Sequence, residues 1–296
     1  MSRPDRGSTA GSVYLDLRRR ARAEGRSTQE LLVLYVLERF LYRLAVSSHR
    51  ERLVLKGGML LAALDRRRPT RDVDLLALSM SPHVDEIIAL VTGIALIDVD
   101  DGVEFRPRGA VGRLIRENDA YAAVRVTVPA TVSSAEILLK VDINVGDPVS
   151  PAPVEVTYPA LLDAPFSLVG YPIETVLAEK LVTMIDRGDT NTRDRDFADV
   201  WLLTRRHRVD ARSVRAAIDA TAAHRDVASR PLADALVRLP LDRGIAWGRY
   251  LDRAGLREVP HSLATVISDI AAFADPLLTG ELSDASWDPL AREWSS

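Results

Sequence analysis

The sequence predicts a mixed α/β protein of the α+β kind, with N-terminal helices, a mixed sheet and a mainly helical C-terminal half. Three observations carry that expectation. Short runs rich in β-branched and aliphatic residues fall between about residues 53 and 157, as half-buried strands require. Apolar residues recur at helical spacing before and after that region. A proline-punctuated stretch from Pro148 to Pro172 separates the two regimes and reads as a connector, placing a boundary near residues 158–172.

Taken in order, residues 1–11 read as a flexible leader whose charges have no apolar core behind them, so it is not a signal peptide. Two helices are expected between Ser12 and Ser47, the second opened by the capping pattern Ser27-Thr28-Gln29-Glu30. Leu53-Val54-Leu55 reads as a short strand, Met59 to Leu64 as a helix, Asp72 to Leu78 as a second strand, and Pro82 to Val91 as a helix with proline in its first turn. Strands follow around residues 123–128, 137–145 and 154–156. The domains expected are 12–160, the sheet with its N-terminal helices, and 161–296, the helical C-terminal domain.

The chemistry concentrates in Lys56-Gly57-Gly58 and Arg71-Asp72-Val73-Asp74. Carboxylates two apart on a strand share a face. Mg²⁺ is usually held by one or two carboxylates plus substrate phosphates, which Asp72 and Asp74 suit. Gly57 and Gly58, at the start of a helix with free amides, suit a close phosphate approach. A tight turn followed by a solvated Asp pair is the plain alternative.

On the strand around residue 140, Lys140, Asp142 and Asn144 alternate against Leu139, Val141 and Ile143, so Asp142 is a candidate third metal carboxylate and activator of the attacking hydroxyl, or else an ordinary outward residue. Lys180 falls inside the apolar stripe of residues 173, 176, 177, 181 and 184, where it either snorkels or reaches a triphosphate. Asp196 and Asp199, at i and i+3, repel unless a cation such as Lys180 or Arg193 lies between them; a plain charged helix start is the other reading. Arg66, Arg67, Arg68 and Arg71 form a basic group beside the Asp pair, suited to nucleic-acid phosphate contacts should the acceptor be the RNA that a family resemblance implies.

Composition narrows the class. The 296 residues carry a net charge of −3, with 47% hydrophobic and 27% charged residues, an ordinary globular balance. No run approaches the roughly 18 apolar residues of a membrane span. There is no cysteine, which removes thiolate chemistry and disulfides and suits a cytoplasmic location. The five histidines are scattered without zinc-ligand spacing.

In order and spacing, Lys56-Gly57-Gly58 with Leu61, Arg68-Pro69-Thr70-Arg71-Asp72-Val73-Asp74-Leu75, Lys140-Val141-Asp142-Ile143, Glu179-Lys180, and Asn191-Thr192-Arg193 through Asp196-Phe197-Ala198-Asp199 resemble the motifs of the AbiEii/AbiGii-type toxin nucleotidyltransferases, which include the MenT toxins. The resemblance covers roughly residues 50–205. It departs where Arg195 stands for a frequent lysine and Val200 for leucine or isoleucine. It implies a polymerase-β-like nucleotidyltransferase core, with the helical domain contributing to the active site, Mg²⁺ and a nucleoside triphosphate, often a pyrimidine. The implied role is the toxin of a toxin–antitoxin system, with a cognate antitoxin, that adds nucleotides to the 3′ end of tRNA and blocks translation. In that pattern Asp72 and Asp74 bind metal, Lys180 holds the triphosphate, and Asp196 and Asp199 complete the catalytic set; Lys56, Gly57, Gly58 and Arg193 are further nucleotide-binding candidates. Two other readings are a small-molecule (antibiotic) nucleotidyltransferase, marked by an acidic rim, and a regulatory or binding domain without chemistry. Past Val209 no motif is recognisable.

Overall fold

The computed structural model describes residues 4–65, 67, 69–81, 83–117 and 121–295. It divides into two compact units, Met1–Gly146 with Val154–Gly170, and Asp147–Pro153 with Tyr171–Ser296.

The first unit opens with α1 (Thr9–Glu24) and α2 (Thr28–Val46). The Ser8 side chain accepts from Gly11 N–H to cap α1, and Gly25, at φ 64°, ends it in the left-handed conformation. At the start of α2 the capping expectation is corrected, since Ser27 occupies the cap position without a side-chain bond. Burial holds this helix instead: Leu31, Leu34, Leu37, Phe40 and Leu41 are fully enclosed, each gaining about 1.5–3 kcal/mol from leaving water. Two of its buried charges are satisfied in place. Arg43 Nη1 lies 2.5 Å from Asp101 Oδ2, and both Glu38 oxygens accept from Leu161 N–H at 3.0 and 2.9 Å.

The chain continues through β1 (Leu53–Lys56), α3 (Gly57–Leu64), β2 (Val73–Ala77), α4 (Val84–Ala95), β3 (Val103–Phe105), β4 (Val111–Glu117), β5 (Tyr121–Val132), β6 (Ala135–Val145), β7 (Val154–Tyr158) and β8 (Phe166–Gly170). Differences from the sequence reading are small but physical. The helix expected from Met59 starts at Gly57, directly after the strand; the strand expected from Asp72 starts at Val73; and the helix placed at 82–91 runs from Val84 to Ala95, with Pro82 outside the described residues. The proline-rich connector holds β8, a strand not expected there.

The sheet is mixed, as expected, in the order β3-β5-β6-β2-β1-β8-β7, with β4 also paired to β5. Parallel β2–β6 and β1–β8 pairs alternate with antiparallel β1–β2, β5–β6 and β7–β8 pairs. A two-residue turn, Ser133-Ser134, closes the long β5–β6 hairpin, and Ser133 takes φ 54° to do so. Along β2 and β6 the residues Val73, Leu75, Val141 and Ile143 are fully buried on one face.

The second unit is helical: α5 (Ile173–Arg187), α6 (Asp194–Thr204), α7 (Ala211–His224), α8 (Leu232–Ala235), α9 (Leu239–Ala254) and α10 (Leu263–Leu278), with β9 (Val209–Asp210), β10 (Ser286–Asp288) and β11 (Glu293–Ser295) forming a small antiparallel sheet. Phe273 of α10 packs against Trp287 and Trp294 at centroid distances of 4.9 and 5.2 Å, and Trp287 Nε1–H donates to Thr204 O, so the last strands close over the helices. Among the described residues no helix is long and apolar enough to cross a membrane.

Candidate active site

Strand register lines up four charged side chains. Asp74 on β2 is opposite Asp142 on β6 and, on its other side, opposite Lys56 on β1; Asp142 is in turn opposite Arg125 on β5. Register partners on neighbouring strands project from the same face. The row across the sheet therefore reads Arg125, Asp142, Asp74, Lys56, with two carboxylates between two cations. Asp72 joins from the residue just before β2, with Oδ2 3.7 Å from Arg125 Nη2.

Arg125 holds Asp142 at both oxygens, Nε to Oδ1 at 2.7 Å and Nη2 to Oδ2 at 2.5 Å, the bidentate geometry of a strong charge-assisted pair. Its hydrogen bonds to Asp142, with the negative charges of Asp142, Asp72 and Asp74, hold the guanidinium above its ordinary pKa against the opposing effect of burial.

Gly57 is dictated by Asp74. Its φ is +64°, and a Cβ there would stand 2.0 Å from Asp74 Oδ2 and 2.7 Å from Cγ. The space freed by the missing side chain is filled by the carboxylate itself. Gly58, next in α3, is buried.

The arginines before Asp72 part company. Arg66 and Arg68 lie outside the described residues. Arg67 turns inward: Nη1 is 3.0 Å from Glu38 Oε2, Nη2 donates to Pro159 O, and the guanidinium sits 5.3 Å over the Tyr158 ring. Burial raises the Glu38 carboxyl above its usual range while Arg67 and the Leu161 amide oppose that rise. Arg71 is exposed.

Within the helical unit a second cluster forms. Lys180 Nζ on α5 lies 2.7 Å from Asp196 Oδ1 and 2.8 Å from Asp199 Oδ2, and Arg193 Nε lies 2.6 Å from Asp196 Oδ2. Both acids are buried. Burial by itself would protonate Asp196, but Lys180 and Arg193 outweigh it and hold the carboxyl well below its usual range. Just upstream, Asn191 Oδ1 accepts from Arg193 N–H at 2.8 Å and fixes the turn into α6.

Sequence reasoning missed Arg125 and Glu38. The signal for Arg125 was present: with Ser133-Ser134 as a two-residue turn, Val132 faces Ala135, and seven steps back and forward along the hairpin bring Arg125 opposite Asp142. As a donor set, Asp72 and Asp74 fit the hard-oxygen demand of a divalent cation completed by phosphates and water. Among the described residues no group of three or more His, Asp or Glu side chains is placed to hold a metal ion.

Residues 39–288 match the family model described as nucleotidyl transferase AbiEii toxin, type IV toxin–antitoxin system. The fold matches the crystal structure of JHP933 from Helicobacter pylori, with TM-score 0.53 and 16% identity over 86% of this chain and 95% of that one. It also matches a second H. pylori protein named as a candidate nucleotidyltransferase, with TM-score 0.52 and 16% identity over 87% and 99%. No curated protein sequence matches the chain.

Proposed function

Because the chain belongs to the AbiEii nucleotidyl transferase toxin family of type IV toxin–antitoxin systems, we propose that this nucleotidyltransferase moves a nucleoside monophosphate, pyrimidine by preference, from a triphosphate to RNA. The acceptor is the 3′ end of tRNA, modified in the cytoplasm, so that translation stops until the cognate antitoxin counteracts it. The observation that carries this reading is the pairing of Asp74 with Asp142 across β2 and β6, with Asp72 beside them.

In the reaction the acceptor's 3′ oxygen bonds to the α-phosphorus in line, the bond to the β-phosphate breaks, pyrophosphate departs with the electron pair, and the hydroxyl proton passes to solvent. Asp72 and Asp74 are the residues to hold Mg²⁺, which when bound supplies positive charge for the triphosphate and the developing oxyanions. Gly57 keeps the Asp74 carboxylate in place by leaving room for it, and Lys56 offsets its charge from the next strand. Lys180 is the point charge proposed to meet the triphosphate, with Asp196 and Asp199 orienting its ammonium. Arg71 is the exposed arginine proposed to meet RNA phosphate.

The test is incubation of the protein with each labelled triphosphate, Mg²⁺ and total RNA, alongside Asp72→Ala and Asp74→Ala. Label is expected in the tRNA fraction with wild type and in neither variant, with both variants melting close to wild type. Growth arrest on expression is expected to be relieved by Asp74→Ala. Label on aminoglycosides but not on RNA, or a toxic Asp74→Ala protein, refutes the proposal.

A further inference from the structure

Asp142 sits where a third metal-binding carboxylate is expected, yet both of its oxygens are taken by Arg125. This pairing is built into the fold. It follows from the β5–β6 register, which a tight turn fixes, and the same guanidinium reaches to 3.7 Å from Asp72. Asp72 and Asp142 therefore already share one resident cation, and Lys56 stands opposite Asp74 from the next strand. No three-carboxylate cage forms among the described residues. Against three negative charges the row supplies two positive ones, leaving a deficit that one divalent ion and its phosphate ligands satisfy.

We propose that Arg125 occupies the place of a second divalent cation, so that Asp72 and Asp74 bind a single metal ion while Asp142 serves to position Arg125. The inference rests on the metal-binding role given to Asp72 and Asp74 above. Arg125 is thus a positioning residue that limits metal number, and the guanidinium, unlike a metal ion, stays whether or not nucleotide is bound.

The experiment counts bound Mn²⁺ by loss of the free-ion EPR signal as Mn²⁺ is titrated into the full chain, with melting temperature checked for every variant. Wild type is expected to bind one Mn²⁺. The double variant Arg125→Gln, Asp142→Asn removes both charges of the pair and leaves the net charge unchanged, so it should still bind one Mn²⁺ with affinity within about threefold, whereas loss of a true ligand should exceed the roughly 10–100-fold of outer-shell losses. Arg125→Gln by itself frees Asp142 and should admit a second Mn²⁺. Two ions on wild type, or loss of Mn²⁺ by a double variant that melts like wild type, overturns the inference. Asp74→Asn separates the two readings: if it binds Mn²⁺ as wild type does, the metal role of Asp74 fails, and this inference with it.

Discussion

Replacing Gly57 by alanine tests the site at its tightest point. At φ +64° an alanine pays left-handed strain of about 1–2 kcal/mol. Its Cβ would also lie 2.0 Å from Asp74 Oδ2, so the carboxylate must withdraw to at least the 3.4 Å of ordinary contact, a shift of about 1.4 Å. Misplacement of about 1 Å in a catalytic group costs on the order of 10²-fold in rate. Gly25 provides an internal control, since it has the same φ of +64° with nothing within 4 Å of its Cβ position. Gly25→Ala should therefore lose only that strain, about 1–2 kcal/mol of stability, and keep wild-type nucleotide transfer. Gly57→Ala should lose more stability and at least about 100-fold in transfer. Urea denaturation and initial rates of labelled-nucleotide incorporation read both quantities. Equal activity in the two variants would refute the reasoning, because the strain is common to both and only the Asp74 contact differs.

Lys180→Ala should cost about 3 kcal/mol by leaving Asp199 and one side of Asp196 buried without their ammonium. The depressed Asp196 carboxyl contributes stability in full above its ordinary value of 3.8 and loses it as pH falls below that value. The melting gap between wild type and Lys180→Ala should therefore hold from about pH 7 to about pH 4 and narrow below that, and a gap that stays constant down to about pH 3 would contradict the ion-pair account. The arginines before Asp72 should separate by role. Arg67→Ala should destabilise by about 2 kcal/mol, since Glu38 loses a buried partner, with little change in how tRNA affinity depends on salt. Arg71→Ala should leave the urea midpoint alone and reduce the slope of log affinity against log salt by about 0.7, the value for one single-strand phosphate contact.

The sequence reading reached the mixed sheet and the helical half because periodicity of two and of 3.6 residues survives in exposed and half-buried elements alike. It missed β8 because Phe166-Ser-Leu-Val-Gly is five residues between Pro165 and Tyr171-Pro172, too short and too punctuated to stand apart from a connector. Only pairing with β7 and β1 makes it a strand. At the candidate site, residue types and spacing marked Asp72, Asp74 and Asp142 as acids worth noticing, and the i, i+3 repulsion of Asp196 and Asp199 asked for a cation, which Lys180 and Arg193 supply. What pattern could not give is partnership across long separations. Arg125 stayed hidden until the two-residue turn at Ser133-Ser134 set its register with Asp142, and Arg67 was read as an RNA-phosphate contact although its partner, Glu38, is 29 positions away on α2. Side-chain direction in such cases is decided by tertiary packing.

The charged row on the sheet has a consequence for how the protein fails. The separation of Asp74 from Asp142 is inherited from the spacing of hydrogen-bonded strands, about 4.8 Å. It works as a ruler cut into the backbone, and loosened surface side chains or frayed loops leave its markings where they are. Warming should therefore change the carboxylate spacing little until β2 and β6 part, and those strands, buried and central, open only with the unit's cooperative unfolding. Loss of the charge geometry would then be all-or-none, and a weakened variant would be a mixture of fully competent and fully unfolded molecules.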